Sequence, residues 1–322
     1  MAVYTQVSAE QMAEFLTRYD AGELRVAKGI AEGVENSNYL VETTKDRYIL
    51  TLYEKRVDEN DLPFFIALLD HLGSKGCKVP RFIADMDGVR LQTLAGRPAC
   101  LIEFLSGVSV TEPSPQQAYA AGRALGELHK AAADFPLTRP NALGPDGWRT
   151  LLADIGDAGF DQIEAGLGDK VRGAADSILA SWPDGLATSV IHADLFPDNV
   201  LSIGDDVTGL IDFYFACTDI RAYDLAVTHG SWCFSHDGSV FYPERAAALI
   251  KGYDETHGLS EDERAALPLL CQGAALRFLL TRAYDWIHTP PDALVMRKDP
   301  RAYWRRLETY RESDAATLFG AE

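Results

Sequence analysis

The sequence has little of several things, and each shortage excludes a class of protein. Five cysteines (Cys77, Cys100, Cys217, Cys233 and Cys271) stand at wide, irregular spacing with no C-x-x-C pair among them. Neither a disulfide framework nor a zinc knuckle is indicated, and buried free thiols are expected. No apolar run reaches the length of a membrane span; a stretch such as Ala274–Leu280 is already broken by Arg277. Met1–Gln11 carries no basic segment leading into an apolar one, so no secretory leader is read there and a cytoplasmic location is expected. Positive charge is scarce: 30 Lys and Arg against 48 Asp and Glu leave a net −18. Such a field repels nucleic acid and anionic membranes unless a basic patch is concentrated somewhere, and the densest basic stretch, Arg297–Arg306, is short and interrupted by Asp299. No G-x-x-x-x-G-K-[ST] occurs, which excludes a P-loop.

What is present is an ordinary folded composition, 47% hydrophobic and 24% charged over 322 residues, long enough for two modest domains. Ser8 and Gln11 make a capping-box pattern that opens a helix to about Arg18. Glu23–Ile30, Ser37–Thr44 and Arg47–Tyr53 read as strands, the last two joined across Lys45-Asp46. Leu62, Phe65, Leu68, Leu69 and Leu72 fall at helical spacing and predict a helix over 61–75. Arg81–Ala84, Val89–Leu94 and Ala99–Phe104 complete a strand-rich segment, read as a small antiparallel sheet with a helix packed on it. Near residue 105 the texture becomes helical. Ser114-Pro115-Gln116-Gln117 starts a helix to about Asp134, and further helices are expected over 275–287 and 302–318. A boundary there puts 1–104 in one domain and 105–322 in another. Inside the helical part lies one island, Thr188–Asp212, where two apolar runs flank Gly204-Asp205-Asp206 as a β-hairpin.

That island holds the chemistry. His192-Ala193-Asp194-Leu195-Phe196-Pro197-Asp198-Asn199 fits H-x-D-x-x-x-x-N, and 13 residues after Asn199 an apolar strand ends at Asp212. Phosphoryl transfer needs an attacking hydroxyl held in line with the γ-phosphate and divalent metal held on the triphosphate oxygens. Asp194 is placed to orient the hydroxyl and accept its proton, while Asn199 and Asp212 offer hard oxygen ligands for Mg²⁺. Folding Val200–Ile203 back on Val207–Ile211 brings Asn199 and Asp212 side by side at the open end of the hairpin. His192 is read as a brace of the loop, and Asp224 as a brace that bonds its backbone. Residues 30–39, between two expected strands, stand where a kinase covers the phosphates. Gly33 is the only glycine there; Asn36, Ser37 and Asn38 can donate to phosphate oxygens, or the stretch is simply a polar hairpin turn.

On these residues the chain resembles the aminoglycoside-phosphotransferase and choline-kinase-like family, of protein-kinase-like fold. Within it, the stretches Gly33–Tyr39, Tyr48–Glu54, Asp61–Phe65, His192–Asn199, Ile211–Phe213 and Leu276–Arg282 are similar to the bacterial homoserine kinases of the phosphotransferase type. The resemblance implies an α+β, two-lobed enzyme with a small antiparallel-sheet N-lobe and a mostly helical C-lobe carrying the catalytic hairpin. It implies Asp194 as base, Asn199 and Asp212 as Mg²⁺ ligands, and a hinge at Leu101–Leu105, with Glu103 and Leu105 holding adenine through the backbone. One departure stands out. Where the family carries a strand Lys or Arg for the α/β-phosphates, this chain has Thr51, so that charge must be met by metal, loop amides or a residue such as Lys28, Lys55 or Arg56.

The implied reaction is ATP-dependent phosphorylation of the L-homoserine hydroxyl, a step of threonine biosynthesis. The zwitterion then needs a cation for its carboxylate and an acceptor for its ammonium. Arg277 and Arg282 are the candidate cations, unless each is a structural salt bridge. Asp285, Asp224 and Tyr214 are candidate acceptors, and His229, Trp232 and Trp286 candidate walls or core aromatics. The alternatives are another small-hydroxyl kinase of this fold (for choline, hydroxylysine, methylthioribose or an aminoglycoside) and a catalytically inactive nucleotide-binding module. A monomer is expected from 35.3 kDa without coiled-coil heptads.

Overall fold

The computed structural model describes residues 5–30, 36–54, 58–289 and 297–320. The chain divides into two units, residues 1–106 and 107–322. In the first, the Ser8 side chain accepts from Gln11 N–H while the Gln11 side chain returns to the Ser8 backbone. This box starts α1, Ala9–Leu16. An antiparallel sheet follows in the order β1-β2-β3-β5-β4, with β1 at Leu24–Gly29, β2 at Asn36–Thr43, β3 at Arg47–Tyr53, β4 at Gln92–Leu94 and β5 at Arg97–Glu103. Period-two alternation places Tyr39, Val41, Leu50, Leu52, Ala99 and Leu101 on one face, where they form one buried cluster with Met12, Phe15 and Leu16 of α1. The opposite face carries Asn38 across from Thr51 and Lys28 across from Leu40. The second helix, α2, spans Leu62–Ser74 with Pro63 in its first turn.

Two expected strands are reduced. Residues 81–84 contribute a single bridge, Phe82 to Ile102, and residues 89–91 lie outside β4. The Asp85 carboxylate accepts the N–H groups of Asp87 and Val89 and closes a turn that removes this stretch from the ladder. The strand expected from Ser37 begins one residue earlier, so Asn36, Ser37 and Asn38 open β2 and the turn reading of these three residues is excluded.

The second unit is helical: α3 Pro115–Ala132, α4 Pro145–Ile163, α5 Leu167–Ser181, then after the strands α6 Arg221–Trp232, α7 Pro243–Thr256 and α8 Glu261–His288. Helix α3 begins at the Ser114–Gln117 capping box. It packs on α7 nearly backbone to backbone: a Cβ on Gly122 would stand 2.1 Å from the Leu249 carbonyl oxygen, and one on Gly252 2.1 Å from that of Tyr119. Only glycine permits that approach. Four short strands complete the unit: β6 Thr188–Ile191, β7 Val200–Ile203, β8 Asp206–Leu210 and β9 Cys217–Ile220. β7 and β8 form the expected hairpin; β9, which pairs with β6, is four residues with no periodic signal and went unforeseen. The expected terminal helix is two, α9 Arg301–Glu312 and α10 Ala315–Phe319, because Asp314 is extended (φ −78°, ψ 163°) and caps the second by accepting Thr317 N–H. No described helix is long and apolar enough to cross a membrane.

Helix α6 is buried nearly all round, the signature of a helix at the centre of a core. Its polar residues therefore need partners. Thr228 donates to the Asp224 carbonyl at 2.9 Å. His229 meets the Tyr310 hydroxyl at 2.7 Å and the Leu318 carbonyl at 3.0 Å, tying both C-terminal helices to the centre.

Burial lowers the His229 pKa to about 4. The unfolded chain, with this group near 6.5, binds the proton first, so stability falls as pH drops from about 6.5 to about 4. The expected loss is about 3 kcal/mol across that window. Urea unfolding at pH 7 and pH 4.5, with His229→Phe as control, checks it: the variant's pH slope should be shallower.

Candidate active site

The segment His192–Asn199 joins β6 to β7 without a ladder of its own; Phe196 and Asn199 N–H close turns onto the Asp194 and Phe196 carbonyls, and the groups before them must find side chains. Two are unusual from the outset: Ala193 (φ 62°) and Asp212 (φ 66°) adopt the left-handed conformation that non-glycine residues avoid. Ile191 pairs with Cys217, Val200 with Leu210, and Ile211 N–H donates to the Asn199 carbonyl at 3.0 Å. The loop out of β6 and the turn out of β8 thus emerge together, bringing Asp194, Asn199 and Asp212 to one place.

Asp224 of α6 holds the loop from below. Its two oxygens accept the backbone N–H groups of His192 (2.6 Å) and Ala193 (2.7 Å), and Oδ2 also meets Nε2 of His129 at 3.0 Å. Burial would raise this carboxyl, but the bonds from His129 and the loop amides outweigh it and keep the pKa below its usual range. His129 is fixed in turn by the Tyr253 hydroxyl at 2.8 Å, across the close α3–α7 contact. His192 accepts Asp194 N–H at Nδ1 (3.2 Å) and donates from Nε2 to the Ile211 carbonyl (3.0 Å), which makes it the neutral Nε2–H tautomer. Loss of solvation lowers its pKa and keeps it so. This ring is a strut between the two left-handed turns.

Asn199 donates from Nδ2 to the Asp194 carbonyl (2.8 Å) and to Asp194 Oδ2 (3.2 Å), which leaves its carboxamide oxygen as an acceptor. Asp194 is half-buried. Burial raises its pKa well above the usual range; Arg277 opposes the shift, and Asp212 and Asp198 add to it. Carboxylates crowded in this way call for a cation. Among the described residues no cluster of three His, Cys, Asp or Glu could cage a metal. The two oxygen donors Asn199 and Asp212 instead suit an ion that keeps waters and substrate phosphates in its other positions, as Mg²⁺ does.

Several expected contacts change. Arg277, on α8, is 2% exposed and donates from Nη1 to the Ala193 carbonyl; it lies beneath the loop, where it cannot reach a substrate carboxylate. Trp232 is buried and gives its indole N–H to the Leu195 carbonyl at 2.9 Å, so it supports the loop rather than walling a pocket. Asp224 has both oxygens engaged and cannot receive a substrate ammonium. Ser37 is buried, donates to Glu54 (2.7 Å) and accepts from Thr5 N–H (3.0 Å); Asn36 accepts from Glu54 N–H. The Ser37 hydroxyl is thus committed on both sides within the first unit. Asn38 accepts from the Thr51 hydroxyl at 2.7 Å, so a hydrogen-bonded pair fills the position where a strand cation was sought. Gly33, Lys55 and Arg56 lie outside the described residues.

Other residues keep places compatible with a substrate. Arg282 is half-buried, its guanidinium 4.5 Å from the Tyr303 ring centre, and its charge reaches Asp194. Tyr214 is half-buried in the single turn after Asp212. Glu103 ends β5, its N–H bonded to the Arg81 carbonyl and its carboxylate paired with Arg81 at 3.0 Å. Two residues on, Leu105 makes no main-chain hydrogen bond among the described residues. Sequence reasoning missed His129 and the exposed Lys298, whose charge also reaches Asp194. Neither carries a local signal, because each acts through a chain segment far from the motif.

A kinase-like carboxylate pair with an adjacent amide, on an α+β fold of this topology, defines a phosphotransferase, and the model of the phosphotransferase enzyme family matches residues 26–260; the chain belongs to that family. Solved structures place the fold in the protein-kinase-like class. They include a spectinomycin phosphotransferase (TM-score 0.73, 14% identity, 98% of this chain and 100% of that one) and a choline kinase from Cryptosporidium parvum (TM-score 0.67, 15% identity, 95% of each). Sequence similarity is much closer elsewhere. The chain is 53% identical over 319 residues to the homoserine kinase of Zymomonas mobilis, covering 99% of each, and 49% identical over 320 residues to that of Rhizobium etli, again 99% of each.

The support beneath the loop is testable apart from the chemistry. Asp224→Asn replaces an acceptor-only group by one that presents N–H to N–H, and it should cost about 3–5 kcal/mol, or roughly 10 °C in Tm. Thermal unfolding by circular dichroism reads it; a Tm within about 2 °C of the unchanged protein would contradict the bracing role.

Proposed function

We propose that this protein transfers the γ-phosphoryl group of ATP to the side-chain hydroxyl of L-homoserine, giving O-phospho-L-homoserine and ADP. The observation that carries the reading is full-length similarity to homoserine kinases at 53% identity, joined to the H-x-D-x-x-x-x-N loop. In this reading Asp194 orients the substrate hydroxyl and takes its proton as the new O–P bond forms and the bond from Pγ to the ADP oxygen breaks. The transfer is direct, with no phosphoenzyme. Asn199 and Asp212 would hold Mg²⁺, which neutralises phosphate charge and orients the triphosphate. Glu103 and Leu105 offer main-chain groups to adenine; that the N–H and C=O of Leu105 have no main-chain partner among the described residues supports this. Lys28, exposed on the sheet face of Thr51, is the described residue proposed as the cation in place of a strand lysine.

For the amino acid, Arg282 replaces Arg277 as the carboxylate partner, with Lys298 beside it. Asp285, one helical turn beyond Arg282, and Tyr214 are proposed for the ammonium. Nothing in this scheme requires a second subunit, nucleic acid or a membrane, and a cytoplasmic monomer fits it.

The first experiment is ADP release from Mg²⁺-ATP with L-homoserine, D-homoserine, L-serine, L-threonine, choline, hydroxylysine, methylthioribose and an aminoglycoside. Turnover on L-homoserine should exceed every other rate; a faster rate on another hydroxyl would replace the substrate while keeping the fold and loop. Asp194→Asn should lose at least about 1,000-fold in kcat while binding ATP normally by calorimetry. Arg282→Ala should raise KM for homoserine at least about tenfold and leave KM for ATP within about threefold, since one charged contact is worth about 1.5–3 kcal/mol. Equal small effects on both would remove Arg282 from the substrate site.

A further inference from the structure

A buried arginine at an active site needs a reason, because taking a guanidinium out of water costs several kcal/mol. Arg277 is 2% exposed, and among the described residues its Nε has no hydrogen-bond partner. Its guanidinium carbon lies 4.5 Å from the Phe278 ring centre and 5.5 Å from that of Phe215. A leucine or methionine would fill such a slot at lower desolvation cost. What an apolar side chain could not do is hold the Ala193 carbonyl, to which Nη1 donates. Ala193 is the left-handed residue directly before Asp194, and its N–H is held by Asp224 at 2.7 Å. Two buried charges of opposite sign therefore clamp one residue by its two polar ends. A non-glycine left-handed residue costs about 1–2 kcal/mol and persists only when its surroundings over-determine it.

We propose that Arg277 is a positioning residue for phosphoryl transfer: by gripping the Ala193 carbonyl it sets the turn that aims Asp194, and it never touches substrate. The proposal rests on the kinase reading above and deepens it. Asp224 fixes the amide side of the turn; without Arg277 the peptide between Ala193 and Asp194 keeps only the 3.2 Å bond from Asp194 N–H to His192 Nδ1 and loses the grip on its carbonyl, so it relaxes toward an unstrained conformation and the Asp194 carboxylate moves with it. A misplacement of about 1 Å is worth about 100-fold in rate.

The test uses Arg277→Met, Arg277→Lys, Asp194→Asn and the double variant Asp194→Asn/Arg277→Met, each checked for folding by circular dichroism and assayed for ADP release with homoserine. Arg277→Met should lower kcat about 100-fold with both KM values within about threefold, and Arg277→Lys, which keeps one donor and the charge, should recover about tenfold of that. Because Arg277 acts through Asp194, the double variant should be no slower than Asp194→Asn. Three results would overturn the proposal: unchanged kcat, a tenfold rise in KM for homoserine with kcat kept, or a full further loss in the double variant. Should Arg277→Met not fold, Arg277→Lys, alone and combined with Asp194→Asn, is read by the same three criteria. Unchanged protein that fails to turn over homoserine overturns the functional reading, and this proposal with it, before any variant is compared.

Discussion

The loop that carries Asp194 leaves the strand ladder at Ile191, and from His192 to Ala193 its amides are held by the carboxylate of Asp224. That single side chain accepts the N–H groups of His192 and Ala193 and meets His129 from behind. A buried carboxylate is tolerated only when its acceptors are filled, and the loop amides fill them. The dependence runs both ways. Without the loop the buried carboxylate would keep His129 alone as a partner, and without the carboxylate the left-handed Ala193 would have no amide-side anchor. The close glycine-mediated contact of α3 with α7 serves the same end, since it sets His129 and Tyr253 within 2.8 Å of each other.

Around that anchor the remaining loop groups are taken up one by one. Asp194 N–H goes to His192, the Leu195 carbonyl to Trp232, the Asp194 carbonyl to Asn199, and the Ala193 carbonyl to Arg277. Side chains from α6 and α8, with two from the loop itself, supply what a ladder would supply elsewhere. Each of those side chains is thereby used up. Trp232 and Arg277, attractive as substrate contacts because of their chemistry, are spent on the loop, whereas Arg282 and Lys298 keep solvent access.

Much of this was legible beforehand. The capping boxes at Ser8 and Ser114 start helices where they were read, since a cap is a contact between residues three apart. The hairpin of Val200–Ile203 with Asp206–Leu210 was equally plain, and with it the adjacency of Asn199 and Asp212. Failures came where a local pattern met a competing local bond. Asp85 turned an apparent strand into a loop, and Asp314 cut one helix into two.

The sequence by itself determined the chemistry on offer: a carboxylate, an amide and a second carboxylate at fixed spacing, on a chain of net charge −18 without a P-loop. These are properties of residue type and of short-range geometry, and they survive without knowledge of the fold. Tertiary structure alone decided which charged residues face outward and which lie beneath the loop. Arg277 and Arg282 sit five positions apart on one helix and read alike, yet the first is sealed under Ala193 and the second keeps its exposure. Helical periodicity says that the two point in different directions; which direction meets the core depends on what α6, α9 and the loop place there, and that is a property of packing rather than of any window of sequence.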